Sequence, residues 1–347
     1  MPAPERGVSR LWLPGAVVFL VAALLTGALV GPVHIGLGAV LESVGARLPF
    51  LHLHSPLSPT EESILWDIRL PRVVLGALVG SMLAVAGASY QGVFRNPLAD
   101  PYLLGVAAGA GLGATIAVVY LPRGFDYQSI LPPAAFAGGA VAVAAAYAIG
   151  RSAGGGSGGA TLVLAGVTVA SFFTAIQTFV QQQHSDTLQE VYSWILGRLP
   201  SSGWRDVLIL LPYVVVAGVG ILLHRRLLDV LSVGDEEAAS LGVNVGRVRL
   251  VVVLCATVGT AAAVAVSGLI GFVGIIVPHA IRLVAGSSYR LLLPLSVLVG
   301  AGFLVFADVI ARTALSPAEL PIGVVTAFFG APFFAVVLRT SRRMAAS

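Results

Sequence analysis

Long apolar runs, broken by short polar stretches, organise this chain from end to end. They lie at about 11–31, 67–94, 102–121, 132–150, 161–181, 206–223, 249–267, 271–286, 291–310 and 321–339. An α-helix rises about 1.5 Å per residue, so about 20 apolar residues cover the ~30 Å hydrocarbon core of a bilayer. The pattern therefore predicts an all-α polytopic membrane protein of about ten transmembrane helices, forming one domain over 1–347. The eighth run is the most interrupted, by glycines and by Pro278.

The connections carry the polar information. Residues 32–66 and 182–205 form long loops on one side, and 224–248 forms the largest on the other. Within DVLSVGDEEAASLGVNVGRVR, 229–249, a short amphipathic helix is expected. Ser232 or Asp235 can cap it, Glu236 and Glu237 suit its N-terminal dipole, and Gly242 can end it. RNPLADPYLLGVAAGAG, 95–111, breaks the apolar pattern: Pro97 and Pro101 stop helices, and Asn96 and Asp100 can cap new ones. The pairs Gly76 and Gly80, Gly105 and Gly109, and Gly109 and Gly113 put small residues four apart, which allows close helix packing. RSAGGGSGGAT, 151–161, reads as a flexible linker.

Composition agrees with the pattern: 57% of residues are hydrophobic and only 10% charged, with a mean hydropathy of +0.94. All 20 basic residues are arginine. Without lysine the chain has no G-x-x-x-x-G-K-[ST] phosphate loop and no Schiff-base chemistry, so any ATPase driving it is another chain. With the N-terminus inside, thirteen arginines fall in inner segments against seven in outer ones. The positive-inside rule then places both termini in the cytoplasm, and the +4 net charge needs no nucleic-acid partner to explain it. Cys255, the one cysteine, sits in an apolar run and excludes an internal disulfide. His52 and His54 supply at most two metal ligands, so no metal site is expected. No nucleophile–base pair or carboxylate pair points to an enzyme.

Several polar side chains stand inside apolar runs: Tyr90 and Gln91, then Thr174, Gln177, Thr178 and Gln181. Unpaired in lipid they are costly, so they face a cavity or hydrogen-bond to other helices.

RNPLADPYLLGVAAGAGLGA closely resembles a signature of the iron-chelate, haem and cobalamin permeases, the membrane subunits of type II ABC importers. DIRLPRVVLGALVGSMLAVAGASYQGVFRNPLADP, GLIGFVGIIVPHAIRLVAG at 268–286 and ADVIARTALSPAELPIGVVTAFFGAPFF at 307–334 resemble further blocks of that family. They stand in family order and spacing. The resemblance implies the type II permease fold, a homodimer with its pathway on the two-fold axis, two cytoplasmic ATPase subunits that hold ATP and magnesium, and one extracytoplasmic substrate-binding protein. It implies no cofactor on this chain. The cargo implied is a metal chelate, an iron–siderophore first, with haem and cobalamin in the same class.

By the same resemblance Arg69, Arg72 and Arg312 are expected at the outer mouth, paired with carboxylates of the binding protein. The 229–249 element is expected to be the coupling helix that docks on the ATPase, through Asp235, Glu236, Ala238, Ala239, Ser240, Leu241 and Gly242. The cytoplasmic gate is expected at Gly159 and Ala160, with Leu98 a second constriction. The rival from another class, a secondary transporter, needs a buried ionisable residue; Asp308 is the nearest candidate, and Arg312 at i+4 offers it a simpler role as an ion-pair partner.

Overall fold

The computed structural model describes residues 9–47, 54–122, 127–152, 159–199 and 203–345. They form an almost wholly helical bundle in chain order: α1 (Ser9–Leu29), α2 (Leu37–Ala46), α3 (Pro59–Ser63), α4 (Leu70–Val93), α5 (Val106–Tyr120), α6 (Tyr127–Ser152), α7 (Gly159–Gln183), α8 (Leu188–Ile195), α9 (Arg205–Leu223), α10 (Arg225–Val233), α11 (Asp235–Ser240), α12 (Val245–Ser267), α13 (Val273–Ala285), α14 (Tyr289–Thr313) and α15 (Ile322–Ala345). Each of the ten apolar runs holds a helix. Among the described residues seven helices are long and apolar enough to cross a membrane: α1, the continuous α3–α4 helix, α6, α7, α9, α12 and α14. The apolar helices α5 and α13 and the apolar segment Ile322–Val337 of α15 are shorter.

Helix α4 is the axis. Its apolar stretch is 83% buried, against 22% for α1 and for α7, so α4 faces protein all round while those two present most of their surface outward. Small residues make that burial possible. A Cβ on Gly80 would lie 2.2 Å from the Gly300 carbonyl oxygen, so α4 and α14 cross backbone to backbone. Gly109 on α5 and Gly138 on α6 make a second such crossing, each 2.2 to 2.3 Å from the other's carbonyl oxygen by the same measure.

The start of the second membrane helix differs from the apolar pattern. It runs unbroken from Pro59, through a π-helical stretch at Ile64–Arg69, into α4. Ser58 closes its N-terminus with a capping box: Ser58 Oγ accepts from the Glu61 backbone N–H at 3.3 Å, and the Ser58 backbone N–H donates to the Glu61 carboxylate at 2.9 Å. Pro71 has no N–H to offer the Asp67 carbonyl, and the π-turn lies where that bond is missing. Capped polar turns carry no apolar signal, which is why the run begins only near 67. In the same way α2 and α8 occupy parts of 32–66 and 182–205 expected to be loops.

Between α12 and α13 the chain is not helical, and its backbone is satisfied from elsewhere. The Tyr102 hydroxyl donates to the Ile270 carbonyl at 2.9 Å and accepts from the Ile270 N–H at 3.1 Å. The Arg198 N–H donates to the Ser267 carbonyl at 2.8 Å. Irregular backbone at membrane depth survives only when buried in protein and paired in this way.

Candidate functional site

Charged and polar groups collect at the two ends of the bundle. At one end the three arginines of the expected docking rim are buried and engaged within the chain, not presented as free rim charges. Arg69 donates to the carbonyls of Ala28 and Leu29 at 3.0 Å each and to that of Val33. Arg312 donates to the Gly27 carbonyl at 2.6 Å. The last carbonyls of α1 lack intrahelical partners and carry the negative end of its dipole, so two guanidiniums cap one helix.

Arg72 uses its whole planar fork. It meets Asp308 at 2.8 Å and holds Glu319 through two parallel bonds of 3.0 and 2.9 Å. Asp308 also lies 3.4 Å from Arg312, one turn along α14. The side chains of Arg72, Asp308 and Arg312 are 8%, 1% and 7% exposed, whereas Glu319 is 55% exposed. The cluster thus locks α1, α4 and α14 together, and Glu319 is its outward-facing member.

At the other end the expected coupling helix is two helices, α10 and α11, with Gly234 between them. The expected caps do not form. Gly234 is the N-cap of α11 with no side-chain bond, the Ser232 hydroxyl donates to the Asp229 carbonyl, and Asp235 pairs instead with Arg249 and Arg95. Gly242 does end α11: it has φ +81°, its N–H donates to the Ala239 carbonyl at 2.9 Å, and the Val243 N–H donates to the Ala238 carbonyl at 3.1 Å. Ala238 is fully buried and seats the element, while Glu236, Ala239, Ser240, Leu241 and Gly242 are exposed.

The 94–105 turn lies beside it. The Asn96 side chain accepts from the Leu98 N–H at 2.9 Å, and that of Asp100 accepts from the Tyr102 N–H at 2.8 Å. These residues brace turns and do not cap α5, which starts after Gly105 in a left-handed conformation. Leu98 is 41% exposed on this turn. Ala160 is exposed at the start of α7, next to Gly159, and 153–158 lie outside the described residues.

The polar residues of the apolar runs fall into two groups. Tyr90 is fully buried with its hydroxyl 2.6 Å from that of Thr257. Gln91 donates to the carbonyls of Ala99 and Gly274 at 3.2 and 3.0 Å and accepts from Arg282, so both residues tie helices together. On α7 the arrangement is different. Thr174 and Thr178 lie on its exposed face, Gln177 is buried against Gly111, and Gln181 is half-buried with its Nε2 unbonded.

Sequence reasoning missed three functional-looking groups. Glu319 and Arg95 are remote in sequence from the charges they pair with, and Tyr102 passed as one more apolar aromatic. Of the two histidines weighed as metal ligands, His54 is exposed and His52 lies outside the described residues. Among the described residues no group of three metal-ligating side chains exists.

A bundle of apolar helices with irregular, protein-satisfied breaks and charge clusters at its ends is the architecture of a polytopic membrane protein. The model of the FecCD transport family matches residues 16–340, and the chain belongs to that family. It is 42% identical to the cobalamin import system permease protein of Halobacterium salinarum, over 97% of each chain. It is 38% identical to an Fe(3+)-citrate import system permease protein of Bacillus subtilis, over 99% of this chain and 98% of that one. A transporter assigned to the metal-chelate ABC type, solved in an inward-facing conformation, superposes with a TM-score of 0.81 at 29% identity, covering 94% of this chain and 98% of that one.

Proposed function

We propose that this chain is the membrane-spanning permease subunit of an ATP-driven, binding-protein-dependent type II importer that brings a metal chelate into the cytoplasm. The observation that carries this reading is the end-to-end match to permeases named for both cobalamin and ferric citrate import. Two copies enclose the pathway between them, two cytoplasmic ATPase subunits bind ATP and magnesium, and one extracytoplasmic binding protein delivers cargo. Both termini are cytoplasmic, so the Arg72 end faces out and the Arg95 end faces in. The cargo is an iron–siderophore, haem or cobalamin, in that order.

The parts then have roles. The binding protein docks at the outer end, where Arg69, Arg72 and Arg312 are held and where one of its carboxylates replaces the exposed Glu319 on Arg72. The exposed residues Glu236, Ala239, Ser240, Leu241 and Gly242 meet the ATPase, with Ala238 as their seat. Leu98, Gly159 and Ala160 close the inner end. The exposed threonines of α7, Thr174 and Thr178, with Gln177 and Gln181 behind them, line the pathway. This chain forms and breaks no bonds; it converts movement of the ATPase pair into alternating access. The secondary-transport reading loses its candidate, because Asp308 lies between two arginines at a bundle end.

Uptake of radiolabelled ferric hydroxamate, haem and cobalamin, in cells with and without the gene, tests the reading. Loss of one uptake, reproduced by removing ATP, is expected. Uptake that ignores ATP but collapses with the proton gradient would overturn it.

A further inference from the structure

We propose that Asp235 is the residue through which movement of the α10–α11 element reaches the 94–105 turn. The proposal rests on the reading of that element as the ATPase-docking part. Asp235 divides one carboxylate between two separate segments. Arg249, in the first turns of α12, places Nη2 3.1 Å from each of its oxygens. Arg95, the first residue after the second membrane helix to leave helical geometry, places Nη2 3.3 Å from Oδ1.

The position of Asp235 suggests a helix cap, yet Gly234 takes the N-cap position of α11, and the Asp235 carboxylate turns to two guanidiniums instead. A carboxylate suits the task because it only accepts and has two oxygens, so it can hold two cations at once. Asparagine has a single acceptor oxygen and would point N–H groups at one of them.

The turn it holds is poised. Arg95 has φ +49°, a left-handed conformation that is unfavourable for a residue with a side chain. Such a residue persists where its surroundings fix it, and Asp235 is the charge that fixes Arg95. Leu98, the exposed residue of the proposed inner constriction, is three residues on. The other tie of the element leads elsewhere. Asp229 accepts from the Tyr289 N–H at 2.6 Å and from the Ser288 hydroxyl at 3.1 Å, and lies 3.4 Å from Arg290, all at the start of α14. Ala238, fully buried, keeps α11 from turning on its own. A push on the element therefore reaches α14 through Asp229, and the Leu98 turn and α12 through Asp235.

The test uses the tagged full-length chain, purified with the ATPase that accompanies it and reconstituted in lipid nanodiscs. In a Cys255→Ser background, Leu98→Cys carries a spin label, and the distance between the labels of the two copies is read with and without ATP and vanadate. The unaltered Asp235 protein should show an ATP-dependent shift. Asp235→Asn and Arg95→Gln should each lose the shift in complexes that still hydrolyse ATP, and Asp235→Glu should restore it. The double variant should be no worse than either single one, because the pair acts as a unit. Arg290→Gln, on the other tie, should keep the shift.

A full shift in Asp235→Asn would overturn the proposal. So would loss of the ATPase from that variant, which would make Asp235 a docking contact, or additive effects in the double variant. If even the unaltered protein shows no ATP-dependent shift, the importer reading itself fails and this proposal goes with it.

Discussion

The two ends of the bundle use the same chemistry, arginine against carboxylate, in opposite surroundings. At the Arg72 end the paired side chains of Arg72, Asp308 and Arg312 are at most 8% exposed. At the Arg95 end, Arg95 and Asp235 are 45% and 38% exposed, and Arg290 and Asp229 are 65% and 22%. Burial makes the first cluster a fixed joint: three helices meet there, and no member can leave without stranding a charge in a poorly solvated site. Water and salt weaken and screen the second set, although Arg249, which shares Asp235, is only 7% exposed. One end is a closed joint between helices; the other is a set of ties from the α10–α11 element that water can reach.

The strongest way to break this contrast is Asp308→Ala. It strips Arg72 and Arg312 of their shared buried counter-charge and should cost about 3–5 kcal/mol, read as a lower midpoint of thermal unfolding in detergent. Replacing Arg72, Asp308 and Arg312 together by Met, Leu and Met should recover most of that loss, because no member of the triad is then left as an unpaired buried charge. Full loss in the triple variant would mean that the cluster supplies more than mutual neutralisation.

Gly80→Val acts between the two ends. The new side chain meets backbone of Gly300, which cannot rotate aside, and should cost about 1–3 kcal/mol by the same assay. The smallest effect belongs to Arg290→Gln, below about 1 kcal/mol and vanishing in high salt. A salt-insensitive loss of several kcal/mol there would erase the distinction between the ends.

Much of this was legible in the sequence. Apolar runs longer than a bilayer core admit few structures but membrane helices, so the ten helical stretches and their order follow from composition along the chain. The end of α11 at Gly242 was legible because a left-handed residue there favours glycine. The capping box at Ser58 and Glu61 also stands in the sequence, as S-x-x-E, although the apolar pattern passes over it. What could not be read was partnership. Arg72 and Glu319 are 247 residues apart, and nothing near either one announces the other. Tyr90 and Thr257 are 167 apart, which left open whether Tyr90 faced a cavity or a neighbouring helix.

By itself, then, the sequence determined that the chain is a bundle of membrane helices, where those helices run, and that it has no lysine-bearing ATP site. Those properties depend on local chemistry: hydropathy summed over about 20 residues, and the presence or absence of a residue type. The tertiary structure alone decided which charges are joints and which are contacts. It turned three arginines inward to helix α1 and to Asp308, and turned Asp235 from a cap into a bridge. A charge takes its meaning from its partner and its exposure to water, and both are set only when distant segments pack together.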